Sequence, residues 1–146
     1  MNNYNTQGNT MRLKNFTILY VEDDKTTQEL IQEILNCSCK EVFVANDGQE
    51  GLALYKEKSP DIVLSDIAMP NMNGLEMSSA IKKLNPNQAI ALFTAFSEPT
   101  FLKQATELDI STYILKPLDE EQFFNSLNFM AMELEYSMNN SEKETL

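Results

Sequence analysis

Along the chain, five short runs are rich in β-branched and other apolar residues: Phe16 to Val21, Glu41 to Ala45, Asp61 to Ser65, Ala89 to Thr94 and Ser111 to Leu115. Runs of this length and composition predict strands. Between them apolar residues recur at helical spacing: Leu30, Ile31, Ile34 and Leu35; Leu52 and Tyr55; Met77, Ile81 and Leu84; Phe101, Leu102 and Ala105. Each set would line one face of a helix and cover a sheet. A last stripe, Phe123, Leu127, Met130 and Leu134, predicts a final helix that packs on the sheet and leaves Phe124 and Phe129 for other contacts. Side chains able to accept from the open N–H groups of a first helical turn stand at Asp24, at Asp47 with Glu50, at Ser97 before Glu98 and Pro99, and at Asp119 with Gln122.

Strand and helix therefore alternate five times. Parallel strands need crossovers, and the helices supply them, so the pattern predicts an α/β fold: a doubly wound, five-stranded parallel sheet with helices on both faces. Near-continuous apolar strands such as DIVL and IALF fit burial on both sides. The expected organisation is a disordered N-terminal segment over 1–13, one domain over 14–134 and a polar C-terminal tail over 135–146. With 146 residues, 42% of them hydrophobic, the chain suffices for one core and so for one principal site. The first dozen residues carry no apolar run, which argues against a signal peptide or membrane anchor and predicts a soluble, cytoplasmic protein.

Charge narrows the partners. A net charge of −11 would repel a phosphate backbone, so direct nucleic-acid binding is not expected. The chain has no histidine, which removes the commonest general base, the commonest metal ligand and any internal phosphohistidine. Cys37 and Cys39 lack companion ligands for zinc and are too few for a disulfide framework; reduced thiols are the expectation. Chemistry here must rest on carboxylates, hydroxyls and lysine.

In open parallel sheets, ligands bind beyond the carboxyl ends of the strands. At those ends stand Glu22, Asp23 and Asp24, then Asp66, then Thr94, then Lys116 followed by Pro117. Each has a local alternative: the first three acids as helix caps, Asp66 as a turn residue, Thr94 as a strand former, Lys116 as a solvated charge. Invoking such an alternative at every strand end weakens it. Three carboxylates converging in one pocket would repel one another, and a hard divalent cation with oxygen ligands relieves this. Met69 and Pro70 set the turn after Asp66, and Gly74 relaxes the backbone where the next helix begins.

The ordered set YVEDD, LSDIAMPNMNG, LFTA and YILKP, spread from about Lys14 to Leu134, resembles the receiver domain of bacterial two-component response regulators. The resemblance implies a flavodoxin-like strand order 2-1-3-4-5 and a signalling switch rather than an enzyme, one that assists its own Mg²⁺-dependent phosphorylation and dephosphorylation. It assigns Glu22 and Asp23 to hold Mg²⁺ and Asp66 as phosphoacceptor and metal ligand. Ala68 would offer its backbone carbonyl to the metal, and Thr94 and Lys116 would bind the phosphoryl group. Tyr113 matches the aromatic switch position, and Lys116–Pro117 the family's cis peptide. The implied partners are a sensor histidine kinase or phosphotransfer protein and an effector domain or protein, with self-association as a homodimer.

Some positions vary from common family features. Ala68 and Phe96 occupy places that influence attacking water, leaving the phosphoaspartate lifetime open, and the absence of Lys and Arg from Pro117 to Glu142 argues against the salt-bridged dimer face of winged-helix regulators. The short stretch after the last helix leaves no room for an effector, so a stand-alone receiver or a piece of a longer protein is expected. Two other classes fit the sequence less well. An aspartate-nucleophile phosphohydrolase of the haloacid-dehalogenase type calls for D-x-D after the first strand, where this chain has Glu22-Asp23-Asp24-Lys25. A flavin mononucleotide binder would place phosphate on that same loop, and the loop is acidic.

Overall fold

The computed structural model describes residues 12–95, 99–110 and 112–144. In chain order the elements are β1 (Thr17–Val21), α1 (Lys25–Asn36), β2 (Glu41–Ala45), α2 (Gly48–Lys58), β3 (Ile62–Asp66), α3 (Gly74–Leu84), β4 (Ala89–Thr94), α4 (Pro99–Glu107), β5 (Thr112–Leu115) and α5 (Glu120–Glu144). All pairings are parallel, in the order β2-β1-β3-β4-β5. This is the doubly wound, flavodoxin-like sheet expected. β2 and β4 have the bounds expected of them, whereas β3 lies one position further on, so that Asp66 is its last residue. Ser97, Glu98 and Ser111 lie outside the described residues.

Successive side chains alternate across a strand, and the sheet therefore carries two cores. Ile18, Tyr20, Ile62, Leu64, Ala91 and Phe93 face one side, closed by Ile31 and Leu35 of α1 and by Phe123, Leu127, Met130 and Ala131 of α5. Leu19, Val21, Val63, Ile90 and Leu92 face the other, closed by Tyr55 of α2, Leu75, Met77 and Ile81 of α3 and Ala105 of α4. Leu30 and Leu84, both members of expected stripes, do not join. Leu30 is 52% exposed and Leu84 57% exposed; Leu30 sits about 100° around the helix from Ile31, and Leu84 is the last residue of α3. Phe124, expected to be available for contacts, is half-buried and packs edge-on against Phe123 with ring centroids 5.4 Å apart, whereas Phe129 is exposed.

Both ends differ from expectation. Leu13, placed in the disordered 1–13 segment by its polar context, is fully buried in the first core, and Arg12 Nε lies 3.4 Å from a Glu135 carboxylate oxygen; residues 1–11 lie outside the described residues. At the other end α5 runs through the expected polar tail as far as Glu144. Polarity alone does not stop a helix, and no glycine or proline follows Pro117 to do so. Among the described residues no helix is long and apolar enough to cross a membrane.

Candidate functional site

The carboxyl ends of β1, β3, β4 and β5 bring the acidic loop, Asp66, Thr94 and Lys116 to one edge of the sheet. The loop after β1 is short because Asp24 already caps α1, its carboxylate accepting from Thr27 N–H at 3.0 Å. Glu22 is turned inward and fully buried, while Asp23 is exposed. One carboxylate oxygen from each of Glu22, Asp23 and Asp66 lies within 4.8 Å of the others. Lys116 reaches into this group, donating from Nζ to Glu22 Oε1 at 3.1 Å and to Asp66 Oδ2 at 3.2 Å. The ammonium also stands 5.2 Å from the centroid of the Phe93 ring. Asp66 is held from the other side by Ile67 N–H, which donates to Oδ1 at 2.8 Å.

The electrostatics follow from this crowding. Burial pushes the Glu22 carboxyl above the usual carboxylate range and the Asp66 charge adds to the effect, while the Asp24 N–H and Lys116 pull the other way. Burial works against the Lys116 charge, but the Asp66 and Glu22 carboxylates outweigh it and raise the ammonium's pKa. Tyr20, buried beneath, donates to Glu22 Oε1 at 3.4 Å; its phenol is pushed up by burial and then by Glu22. Three carboxylate groups stand here against one ammonium, an excess of acid that a divalent cation would offset. The donor set is all oxygen, with Asp23 open to solvent, which suits a hard, partly hydrated ion such as Mg²⁺.

The loop between β3 and α3 is anchored at several points. Gly74 N–H donates to Ile67 O at 2.8 Å, Gly48 N–H to Met72 O at 3.0 Å, and Asn71 Nδ2 to Asp47 Oδ2 at 2.8 Å. Asn73 caps α3 reciprocally with Glu76, a start the apolar pattern does not flag. Gly74 is not there for conformational freedom, since among the described residues no glycine has positive φ. A Cβ at Gly74 would run into the Asp66 carbonyl oxygen. Close approach, not flexibility, is what requires glycine.

Ala68 is exposed, two residues beyond Asp66. Thr94 is buried at the end of β4, and its carbonyl accepts from Lys116 N–H at 2.7 Å, which sets the start of the lysine's approach. The Lys116–Pro117 peptide is cis. Tyr113 stands further from the acids, half-buried on β5, with its hydroxyl donating to Ile110 O at 2.9 Å. Phe96 lies outside the described residues. One residue near the acids escapes the apolar pattern altogether: Gln28 of α1, buried, donates to Glu22 O at 2.8 Å.

A family model described as the response regulator receiver domain matches residues 18–128. The chain is 31% identical over 112 residues to the chemotaxis protein CheY of Thermotoga maritima, an alignment covering 76% of this chain and 93% of that protein. Among solved structures, the N-terminal domain of an uncharacterized protein from Wolinella succinogenes superposes with a TM-score of 0.77 at 31% identity, covering 84% of this chain and 98% of the other. CheY of Borrelia burgdorferi, in a complex with CheX, BeF3 and Mg²⁺, is similar with a TM-score of 0.68 at 29% identity, over 77% of this chain and 86% of that one.

Proposed function

Because the chain belongs to the response regulator receiver domain family of two-component systems, we propose that it is a phosphorylation switch that takes a phosphoryl group onto Asp66. The observation that carries this is the meeting of Glu22, Asp23 and Asp66 within 4.8 Å, with Lys116 bridging two of them. The donor is a phosphohistidine on a sensor kinase or phosphotransfer protein. Lacking any histidine, this chain draws that imidazole from elsewhere. The haloacid-dehalogenase reading loses its ground with the family assignment.

Asp66 attacks the phosphorus in line, its O–P bond forming as the donor's P–N bond breaks and the imidazole leaves, and its carboxylate is held by Ile67 N–H so that little reorientation is needed. A Mg²⁺ held by Glu22, Asp23, Asp66 and the Ala68 carbonyl would neutralise charge on the transferring group. Lys116 exchanges a carboxylate contact for a phosphoryl oxygen, and the Thr94 hydroxyl donates to another. The direct test is transfer from acetyl phosphate, read by intact mass.

The metal assignment has its own test. Asp23→Asn removes one charge and one ligand from an exposed position, so Mg²⁺ affinity should fall about tenfold or more. The metal-free thermal midpoint should hold or rise, because repulsion among the acids is relieved. Calorimetric titration and melts of both proteins decide it, and unchanged affinity would reduce Asp23 to a loop acid.

For output, the added phosphoryl group carries about −1.5 to −2 charges and draws Thr94 and Lys116 toward it. Space vacated behind Thr94 lets Tyr113 leave its bond to Ile110 O and reshape the face of α4, β5 and α5, where an effector docks or a second copy pairs. NMR on protein carrying a phosphoryl mimic should show shift changes at Tyr113 and along residues 119 to 134. Changes confined to the surroundings of Asp66 would rule this route out.

A further inference from the structure

We infer that Gln28 is a positioning residue for the acidic loop, holding the Glu22–Asp23 peptide so that the Asp23 carboxylate stays turned toward Asp66. The inference rests on the metal-binding reading of Glu22, Asp23 and Asp66.

Position 28 continues the buried face of α1 set by Ile31 and Leu35, where stability alone favours an apolar side chain. An amide stands there instead, with only 2% of its surface exposed. Its Nε2 donates to Glu22 O at 2.8 Å and to Asn46 Oδ1 at 2.9 Å, and its Oε1 accepts from Lys25 Nζ at 3.3 Å. On the other side of the same residue, Glu22 N–H donates to Ala45 O at 3.1 Å. The peptide units flanking Glu22 are thus both tied, which leaves Asp23 little freedom in where its Cα can sit.

The tie extends outward. Asn46 donates from its backbone N–H and from Nδ2 to Glu50 Oε2, each at 3.0 Å. Next to it, Asp47 and Gly48 hold Asn71 and Met72 of the loop that follows Asp66. Gln28 is therefore the inner end of a polar chain joining the loops after β1, β2 and β3. Asp23 is the exposed acid of the cluster and makes the least use of packing, so it is the carboxylate that depends most on this chain for its place. Residues that orient metal ligands from outside the ligand set typically change affinity about tenfold or more when removed.

The test uses two variants that keep the size of the side chain and delete its donors, Gln28→Met and Gln28→Glu. The control, Ser38→Ala, removes the Ser38 Oγ bond to Ile34 O, 2.8 Å long, at the far end of the same helix. Mg²⁺ is titrated calorimetrically, and metal-free melts and amide exchange at Asp23 and Asp24 are recorded. Both Gln28 variants should weaken Mg²⁺ binding about tenfold and speed exchange at Asp23 and Asp24. Ser38→Ala should do neither, whatever its melt shows. Wild-type binding that Asp23→Asn loses and Gln28→Met keeps within about twofold would overturn this inference alone. Equal Mg²⁺ binding by wild type and Asp23→Asn would overturn the metal reading beneath it.

Discussion

Incubated with acetyl phosphate and Mg²⁺, the wild-type protein will gain one phosphoryl group by intact mass, and Asp66→Asn will gain none. The chain has 22 acidic residues, so selectivity has to come from surroundings rather than from carboxylate chemistry. Glu22 is fully buried and already engaged by Tyr20, by Asp24 N–H and by Lys116. Asp23 is exposed, with no bond to Lys116 among the described ion pairs. Of the three clustered acids, Asp66 alone combines partial access, a lysine at 3.2 Å and a backbone N–H on its second oxygen. Asparagine at 66 keeps the shape and loses the nucleophile. Withdrawing the cation with a chelator should abolish transfer to the wild type as well, because a phosphorylated donor would then approach an acidic cluster that only Lys116 offsets among the described ion pairs. Equal mass gain in wild type and Asp66→Asn would end the assignment.

How much of this was legible in sequence depends on what each feature rests on. Strand positions follow from runs of apolar residues, and β2 and β4 match to the residue because Glu41 and Ala89 open them abruptly. The caps at Asp24, Asp47 and Asp119 are local chemistry and are also readable: Asp47 accepts from Glu50 N–H and Asp119 from Glu121 and Gln122 N–H. Helix stripes are coarser, since hydrophobicity does not say which flank of a helix meets the sheet; Leu30 and Leu84 fit the stripes yet stay exposed. The last helix is the clearest failure of composition. The run EYSMNNSEKE looks like a tail, but nothing in it breaks a helix, and α5 runs on through it.

The acids, Thr94 and Lys116 could be named because strand ends in this architecture converge. Their supports could not. Gln28, Asn46 and Glu50 act across segments separated in the chain, and a buried glutamine on an apolar face gives no periodic signal. The right residue can also be found with the wrong reason. For Gly74 the sequence points to a relaxed backbone at the start of the helix, whereas its role is steric.

That steric role sets the other large expected effect: Gly74→Ala should destabilise the protein by about 3 kcal/mol and lower its thermal midpoint by about 10 °C. A methyl at this position would overlap the Asp66 carbonyl oxygen and crowd Ile67 Cα at 3.1 Å. Both neighbours are backbone, so no rotamer change relieves the clash. Either α3 swings out, losing the Gly74 N–H bond to Ile67 O and disturbing the Asn73–Glu76 cap, or the end of β3 moves and takes the Asp66 carboxylate with it. Alanine's better helix propensity, about 1 kcal/mol at most, does not offset this. Gly51→Ala supplies the contrast, because a Cβ there meets the side chains of Met77 and Val21 rather than main chain. The methionine thioether can shift, so its melt should fall by less than half as much. Phosphorylation from acetyl phosphate should slow in Gly74→Ala and stay near wild type in Gly51→Ala, since only the first displaces the acceptor. A Gly74→Ala protein melting within about 2 °C of wild type would mean that the loop after Asp66 yields freely, and that the glycine is there for some other reason.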